Sequence, residues 1–98
     1  MHKIYEGINT IAFHPSYILE DMLEGRGITI DEIIKDEKIP KEKFEKFMKG
    51  KIAVDSEIAY LLSRKLNTSI NLWFNLQKEY KRKLVKAKRE NKHGNKRS

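Results

Sequence analysis

The stretch TIDEIIKDEKIPKEKFEKFMKGK, residues 29–51, predicts two short helices joined by a tight turn, and the second helix is rich in lysine. Thr29 suits the cap of the first helix, and Glu32 three residues later completes a capping box. Pro40 fits the start of the second helix, where its missing N–H costs nothing, and Gly50 ends it. Helices joined in this way are typical of a helix-turn-helix, a motif that lays its second helix in the DNA major groove.

Apolar residues at helical spacing predict three further helices around this pair. We expect the five helices over about residues 15–24, 30–36 and 41–49, after Asp55 or Ser56, and from Ile70 onward. Residues 1–13 lack helical periodicity, and 9–13 are interpreted as extended chain or a short strand. The sequence therefore predicts an all-α domain over residues 14–89, preceded by the segment 1–13 and followed by a disordered basic tail, 90–98.

Length and composition exclude several classes of protein. The 98 residues suit one small domain with a modest core and no enclosed substrate cavity of any size. No run of about 18 apolar residues is present to span a membrane, and no leader precedes the fold, so we expect a cytoplasmic protein. The absence of cysteine excludes disulfides, thiolate chemistry and zinc-finger sites.

The net charge of +7 is unevenly distributed along the chain. Residues 81–98 hold nine Lys or Arg and one Glu, whereas residues 1–80 are nearly neutral. Within that neutral part, residues 20–37 carry seven acidic and two basic groups, and residues 38–51 carry six lysines and two glutamates. The pattern predicts an acidic side and a basic side, either for different partners or, for the acidic half, as ordinary solvated surface.

The chain resembles the HigA/VapI-type antitoxins of the Xre-like helix-turn-helix family. HPSYIL, residues 14–19, resembles that family's His-Pro-Gly-Glu-x-Leu opening. LNTSINLWFNLQ, residues 66–77, is similar to its Leu-Gly-Thr-Ser-Pro-x-x-Trp-x-x-Leu-Gln segment. With the helix-turn-helix between them, these pieces run in the family's order from about residue 14 to residue 80.

The resemblance implies a five-helix Xre/lambda-repressor-like fold with an extended basic C-terminal helix. It also implies a homodimeric antitoxin of a type II toxin–antitoxin pair, without catalysis or cofactor. Such a protein binds a HigB/RelE-like ribonuclease toxin and represses its own operon by occupying double-stranded operator DNA. Two alternatives remain open: a standalone transcription regulator without a toxin, and a protein-binding module that no longer reads DNA.

The second helix of the motif supplies most of the predicted DNA contacts. Lysines there suit phosphates or guanine edges, and a glutamate accepts from cytosine N4. The predicted DNA-binding residues are Thr29, Lys38, Lys41, Glu42, Lys43, Glu45, Lys46, Lys49 and Lys51. The alternative is a solvated face of Glu–Lys pairs. The family has glycine where Lys38 stands, and a non-glycine residue forced to positive φ there would cost about 1 kcal/mol, so the turn is expected to differ from the family's.

Two protein-binding surfaces are also predicted. A stripe on the last helix is longer than one small core needs, and it is interpreted as a dimer interface formed by Trp73, Leu76, Tyr80 and Leu84. Because RelE-like toxins are usually basic, the acidic side is the predicted toxin surface, formed by Glu20, Asp21, Glu24, Asp31, Glu32, Asp36 and Glu37. The N-terminal segment and the cationic tail are the competing toxin contacts.

No catalytic or metal site is predicted. His14 with Pro15 is interpreted as the start of a helix, with His14 near the cap and no acid–base partner at a recognisable spacing. His2 and His93 match no metal-binding pattern. The cations that follow residue 80 are open to three interpretations: contact with phosphates, contact with an acidic protein, or solubility.

Overall fold

Five helices and one small two-stranded sheet make up the part of the chain that the structure describes. The computed structural model describes the backbone of residues 3–97 and the side chains of residues 3–92. The elements are β1 (Ile4–Glu6), β2 (Ile11–Phe13), α1 (Pro15–Arg26), α2 (Ile30–Ile34), α3 (Lys41–Met48), α4 (Ser56–Leu66) and α5 (Ile70–Arg97). His2 and the side chain of His93 lie outside this part. None of the helices described is long and apolar enough to cross a membrane.

Side-chain caps set the starts of four helices. The Oγ1 of Thr29 accepts a hydrogen bond from the Glu32 N–H at 3.1 Å, as the capping box predicts for α2. Asp55 accepts from the Ile58 N–H at 2.9 Å to begin α4, and the Ser69 hydroxyl begins α5 in the same way (to the Leu72 N–H, 3.0 Å). At the start of α1, His14 Nδ1 accepts from the Ser16 N–H at 3.0 Å.

Two helix ends differ from the expected ones. α1 continues through Gly25 to Arg26, and its cap is Gly27, which has a φ of 67° and donates its N–H to the Glu24 carbonyl. α2 ends at Ile34, earlier than expected, because the chain turns at Asp36, where φ is 61°. The left-handed residue is therefore Asp36, and Lys38 has no positive φ. Aspartate tolerates this conformation better than most non-glycine residues.

The core is formed by α1, α2, α3 and α4 together with the first turns of α5. The largest side chains of the core are essentially inaccessible to solvent: Leu19 of α1, Ile33 of α2, Phe44 and Phe47 of α3, Ile58, Leu62 and Leu66 of α4, and Trp73 of α5. The Trp73 indole N–H donates to the Thr68 hydroxyl at 2.9 Å, so its polar atom is satisfied inside the core. Trp73 is thus a residue of the chain's own core, which corrects its assignment to a dimer interface.

The N-terminal segment is a β-hairpin that packs on the second half of α5. Its strands are antiparallel, with Tyr5 opposite Ala12. Ala12 and Ala87 are both fully buried. The chain's own hairpin therefore covers much of the α5 stripe, and Leu76, Tyr80 and Leu84 are half-buried beside it. The hairpin was not foreseen as a cover for the stripe, and the assignment of Leu76, Tyr80 and Leu84 to a dimer interface stays a prediction.

Two side chains near the end of α5 hold the hairpin. The Glu90 carboxylate accepts from the Asn9 N–H at 2.8 Å and from the Thr10 hydroxyl at 2.7 Å. The Asn91 amide donates to the Glu6 carbonyl at 2.9 Å. These contacts give residues 90 and 91 an ordered position, and α5 runs to Arg97. The expected disordered tail from residue 90 is therefore helical over its described backbone.

His14 connects the start of α1 to the loop that follows α3. Its Nε2 lies 2.8 Å from the Ile52 carbonyl oxygen, and its Nδ1 accepts from Ser16 N–H, so the ring is neutral with its proton on Nε2. The ring packs against Phe47 and Tyr80, with centroid distances of 5.3 and 5.2 Å. Burial lowers the pKa of His14 below its ordinary value, and it outweighs the opposing effect of the Ile52 carbonyl.

Replacing Gly7 by alanine should destabilise the protein. A Cβ at Gly7 would lie 2.7 Å from the Ala87 Cα, so backbone would have to move. Overpacking of this kind costs about 1–3 kcal/mol. The matched control is Gly25→Ala within α1, where a Cβ meets nothing within 4 Å and should stabilise the helix by roughly 0.5–1 kcal/mol. Thermal unfolding of both variants measures the difference, and equal melting temperatures would contradict the packing of the hairpin on α5.

The free energy of unfolding should decrease as the pH is lowered below about 6.5, the pKa of a histidine in the unfolded chain. Because the folded-state pKa of His14 is lowered, the unfolded chain binds more protons in this window. The contribution of neutral His14 is complete above the unfolded pKa and is lost as the pH falls through the folded pKa. The difference in unfolding free energy between wild type and His14→Gln should therefore shrink toward low pH. NMR titration of the ring is the second measurement, and a pKa at or above 6.5 would rule the explanation out.

Candidate nucleic-acid interface

The two faces of α3 have opposite character. Phe44, Phe47 and Met48 are buried in the core. The residues that face solvent on the same helix are Lys41, Glu42, Glu45, Lys46 and Lys49. Since successive residues of a helix are about 100° apart, burial of the first set fixes the direction of the second. This solvent-facing set, together with Lys38 and Lys51 at its two ends, is called the α3 surface below.

The α3 surface carries a positive charge that its own glutamates only partly offset. Its five lysines outnumber its two glutamates, Glu42 and Glu45, so its formal charge is +3. Lys38 and Lys51 flank the helix and are exposed like the lysines within it. The helix ends at Met48, the chain turns at Gly50 (φ 75°), and the Lys51 N–H donates back to the Lys46 carbonyl at 2.9 Å. This closure holds Lys51 beside the end of α3.

Lys43 belongs to a different network from the other lysines of α3. Its Nζ lies 2.7 Å from the Asp55 carboxylate and 2.5 Å from that of Glu57, both at the start of α4. These hydrogen bonds, first to Asp55 and then to Glu57, raise the pKa of Lys43 above its ordinary value. Lys43 therefore ties α3 to α4 and points away from the α3 surface, which corrects its assignment as a flanking DNA contact.

Thr29 lies near the α3 surface and is also a cap. Its hydroxyl accepts from Glu32 N–H, which leaves its own hydrogen free to donate. A shallow groove of about 390 Å³ separates the start of α2 from α3; it is lined by Thr29, Ile30, Asp31, Lys41, Glu45, Met48 and Lys49. The groove places the start of α2 beside the exposed side of α3.

Glu37 fixes the turn between α2 and α3 to α4. Its carboxylate lies 2.5 Å from the Arg64 guanidinium and 3.1 Å from the Lys65 ammonium. Hydrogen bonds from Arg64 and then Lys65 lower the pKa of Glu37, so it stays ionised. The charge of Glu37 is thus already paired within the chain, where it holds the turn to α4.

The remaining acidic residues of the predicted toxin surface lie on α1, on α2 and in the turn after α2. Glu20, Asp21 and Glu24 lie on α1, which packs on α3 and α5, whereas Asp31 and Glu32 lie on α2, which packs on α4. Glu20 is paired with Lys3 at 2.5 Å, and Asp36 forms the left-handed turn. Asp21, Glu24, Asp31 and Glu32 are exposed, with no ion pair among the described side chains.

Several positioning residues were not found from the sequence. Arg64, Lys65 and Glu90 each contact residues that are distant in the sequence, and no local sequence pattern predicts such pairs. Asp55 was expected only as one of two possible starts of α4, whereas it caps that helix and also binds Lys43. Within the part of the chain that has described side chains, no cluster of three or more His, Asp or Glu could hold a metal ion.

Comparison with known proteins gives one structural relative. No protein-family model matches the chain, and no curated protein matches it. Among solved structures, the chain is similar to PA4674 of Pseudomonas aeruginosa, whose crystal structure was determined in complex with its operator DNA (18 bp). The two are 25% identical with a TM-score of 0.68, over 76% of this chain and 81% of that one. The two proteins therefore share a fold over most of their lengths.

Proposed function

We propose that this protein is a DNA-binding transcription regulator that reads its operator with the α3 surface. The observation that carries the proposal is the rigid, lysine-rich face of α3, which lies at the second helix of a helix-turn-helix pattern. The likeness to PA4674, a protein crystallised with its operator, supports the same function. On this proposal the fold is Xre/lambda-repressor-like, and the protein acts in the cytoplasm without catalysis.

The chemistry of the α3 surface divides into two kinds of contact. Lys38, Lys49 and Lys51 at the helix end and flanks suit phosphates, which set the register of the protein on the duplex. Lys41 and Lys46 suit phosphates or guanine edges, and Glu42 and Glu45 accept from cytosine N4. A glutamate that faces a guanine or thymine edge meets only acceptors there, and the nearby phosphates repel it as well, so these two residues restrict the set of sequences that can be bound.

We further propose an antitoxin role for the same protein. The likeness of residues 14–80 to HigA/VapI-type antitoxins supports a homodimer that captures a HigB/RelE-like toxin. The toxin surface is narrowed to the exposed carboxylates Asp21, Glu24, Asp31 and Glu32, because Glu20 and Glu37 are paired within the chain. A standalone regulator would read DNA in the same way and lack the toxin.

Lys46→Ala should weaken binding to a promoter duplex and reduce its salt dependence. Loss of one phosphate contact lowers the slope of log affinity against log salt by about one. The matched control is Lys43→Ala, which removes the same charge from the same helix but from the α4 side. It should leave the salt slope unchanged. Fluorescence anisotropy at several salt concentrations measures both.

The wild type should also prefer an inverted repeat from its own promoter, with half-sites about one helical turn apart or a multiple of it. Equal affinity for promoter and random duplex at moderate salt would sink the proposal of sequence reading. Equal loss of salt slope in Lys43→Ala and Lys46→Ala would show that charge alone, rather than the α3 surface, binds the DNA.

Reversal of Asp21 and Glu24 to lysine should slow capture of a basic toxin encoded beside this gene. Charge pairs of this kind mainly speed association and are weakened by salt, whereas single exposed pairs contribute only about 0–1 kcal/mol each. The control is the double reversal of Glu42 and Glu45, which changes net charge equally on the α3 surface. Stopped-flow association with the co-purified toxin compares them.

Similar association rates for the two double reversals would show that the toxin binds a surface other than the one around Asp21 and Glu24. Truncation within α5 is a poor test of the competing tail contact, because Ala87 and Glu90 hold the hairpin. Neutralising Lys86, Arg89 and Lys92 in the full chain removes part of the positive charge of the tail and keeps Ala87 and Glu90, so it tests the tail contact without disturbing the hairpin. If the neighbouring product does not bind at all, the protein is a standalone regulator.

A further inference from the structure

The outer face of the hairpin carries the densest group of exposed apolar side chains in the described part of the chain. Ile4, Ile8, Ile11 and Phe13 are 36%, 61%, 46% and 37% exposed. Tyr5 and Ala12 face α5 instead, because successive residues of a strand point to opposite faces. By covering the α5 stripe, the hairpin exposes a second apolar surface of its own.

The backbone of β2 is also open to a further strand. The Gly7 N–H donates to the Thr10 carbonyl and the His14 N–H to the Lys3 carbonyl, both at 2.7 Å. In an antiparallel pair, hydrogen-bonded residues alternate. The N–H and C=O groups of Ile11 and Phe13 therefore point away from β1, and no described group bonds to them.

The two edges of the hairpin are not equivalent. On the β1 edge, the Asn91 amide already donates to the Glu6 carbonyl at 2.9 Å. The β2 edge has no such cover among the described residues. An open edge with exposed apolar side chains is a template for another strand, and the difference between the edges indicates which one is used.

We propose that β2 pairs with β2 of a second copy of this chain, antiparallel, about a twofold axis at Ala12. The edge is self-complementary, because this axis sets Ile11 of one copy opposite Phe13 of the other. Each such pair exchanges both of its N–H···O bonds and brings two apolar side chains together. The contact is isologous, as expected of a symmetric dimer.

The charge of the hairpin does not oppose a second copy at this place. The net charge of +7 is concentrated in residues 81–98, so two copies repel each other mainly where their α5 ends approach. Within residues 3–13, Lys3 and Glu6 are the charged residues and cancel, and Lys3 is in addition paired with Glu20. The β2 edge itself carries no charged residue, so it adds no like-charge repulsion to the contact.

The edge is short compared with a standard interface of about 800 Å² per partner. The dimer should therefore depend on protein concentration in the micromolar range rather than be permanent. This inference rests on the homodimer of the proposed function and assigns its interface; DNA reading does not enter it, so it is measured without DNA.

Ile11→Pro is the direct test by sedimentation velocity over a range of protein concentrations. Proline removes the outward N–H of residue 11 but breaks no hydrogen bond within the hairpin. Because the dimer is symmetric, two hydrogen bonds are lost per dimer. The dissociation constant should rise about tenfold or more. Ile4→Pro is the matched control: it removes an outward N–H from the β1 edge and should stay within about twofold of wild type.

A second pair of variants keeps the test decisive if proline disturbs the hairpin. Ile11→Lys should shift the protein toward monomer, whereas Ile8→Lys, in the more exposed loop, should not. Circular dichroism confirms folding of each. A wild type that stays monomeric at the highest concentration overturns the proposal and leaves the edge for a strand of another protein. Equal effects of Ile11→Pro and Ile4→Pro, or of the two lysine variants, overturn this interface alone and leave the homodimer of the proposed function standing.

Discussion

Burial of one face of α3 is the constraint on which the rest of the structure depends. Phe44 and Phe47 are inaccessible to solvent in the centre of the core. Full burial of a phenylalanine stabilises a fold by about 1.5–3 kcal/mol, so rotation of α3 about its axis is strongly opposed. The lysines on the opposite side of the helix therefore face solvent. The direction of the charged face is thus a consequence of hydrophobic packing rather than of any charged contact.

Three polar links hold the segments around α3 to the rest of the core. Glu37 ties the preceding turn to α4, Lys43 ties the helix itself to the start of α4, and His14 ties the following loop to α1. Exposed ion pairs contribute little stability individually. Their value here is positional, because a surface that is already rigid loses less conformational entropy when it binds a rigid duplex.

The sequence predicted the helices well and the long-range contacts poorly. The caps at Thr29 and Ser69 and the alternation of Phe44 and Phe47 with lysines are local patterns, and each was predicted directly from the sequence. The role of Glu90 was not, because it meets Asn9 and Thr10 some eighty residues earlier. For the same reason the α5 stripe was interpreted as a dimer seam. Periodicity shows that a stripe is buried but not by what.

The central claim is that the α3 surface is the part of the molecule that meets DNA. Its most direct measurement is the ¹⁵N–¹H correlation spectrum of the labelled protein during titration with a promoter duplex. The account predicts that the largest shifts fall on Lys41, Lys46, Lys49 and Lys51, while the amides of Asp21 and Glu24 on α1 stay in place. Shifts confined to the cationic end of α5, with α3 unchanged, would contradict it.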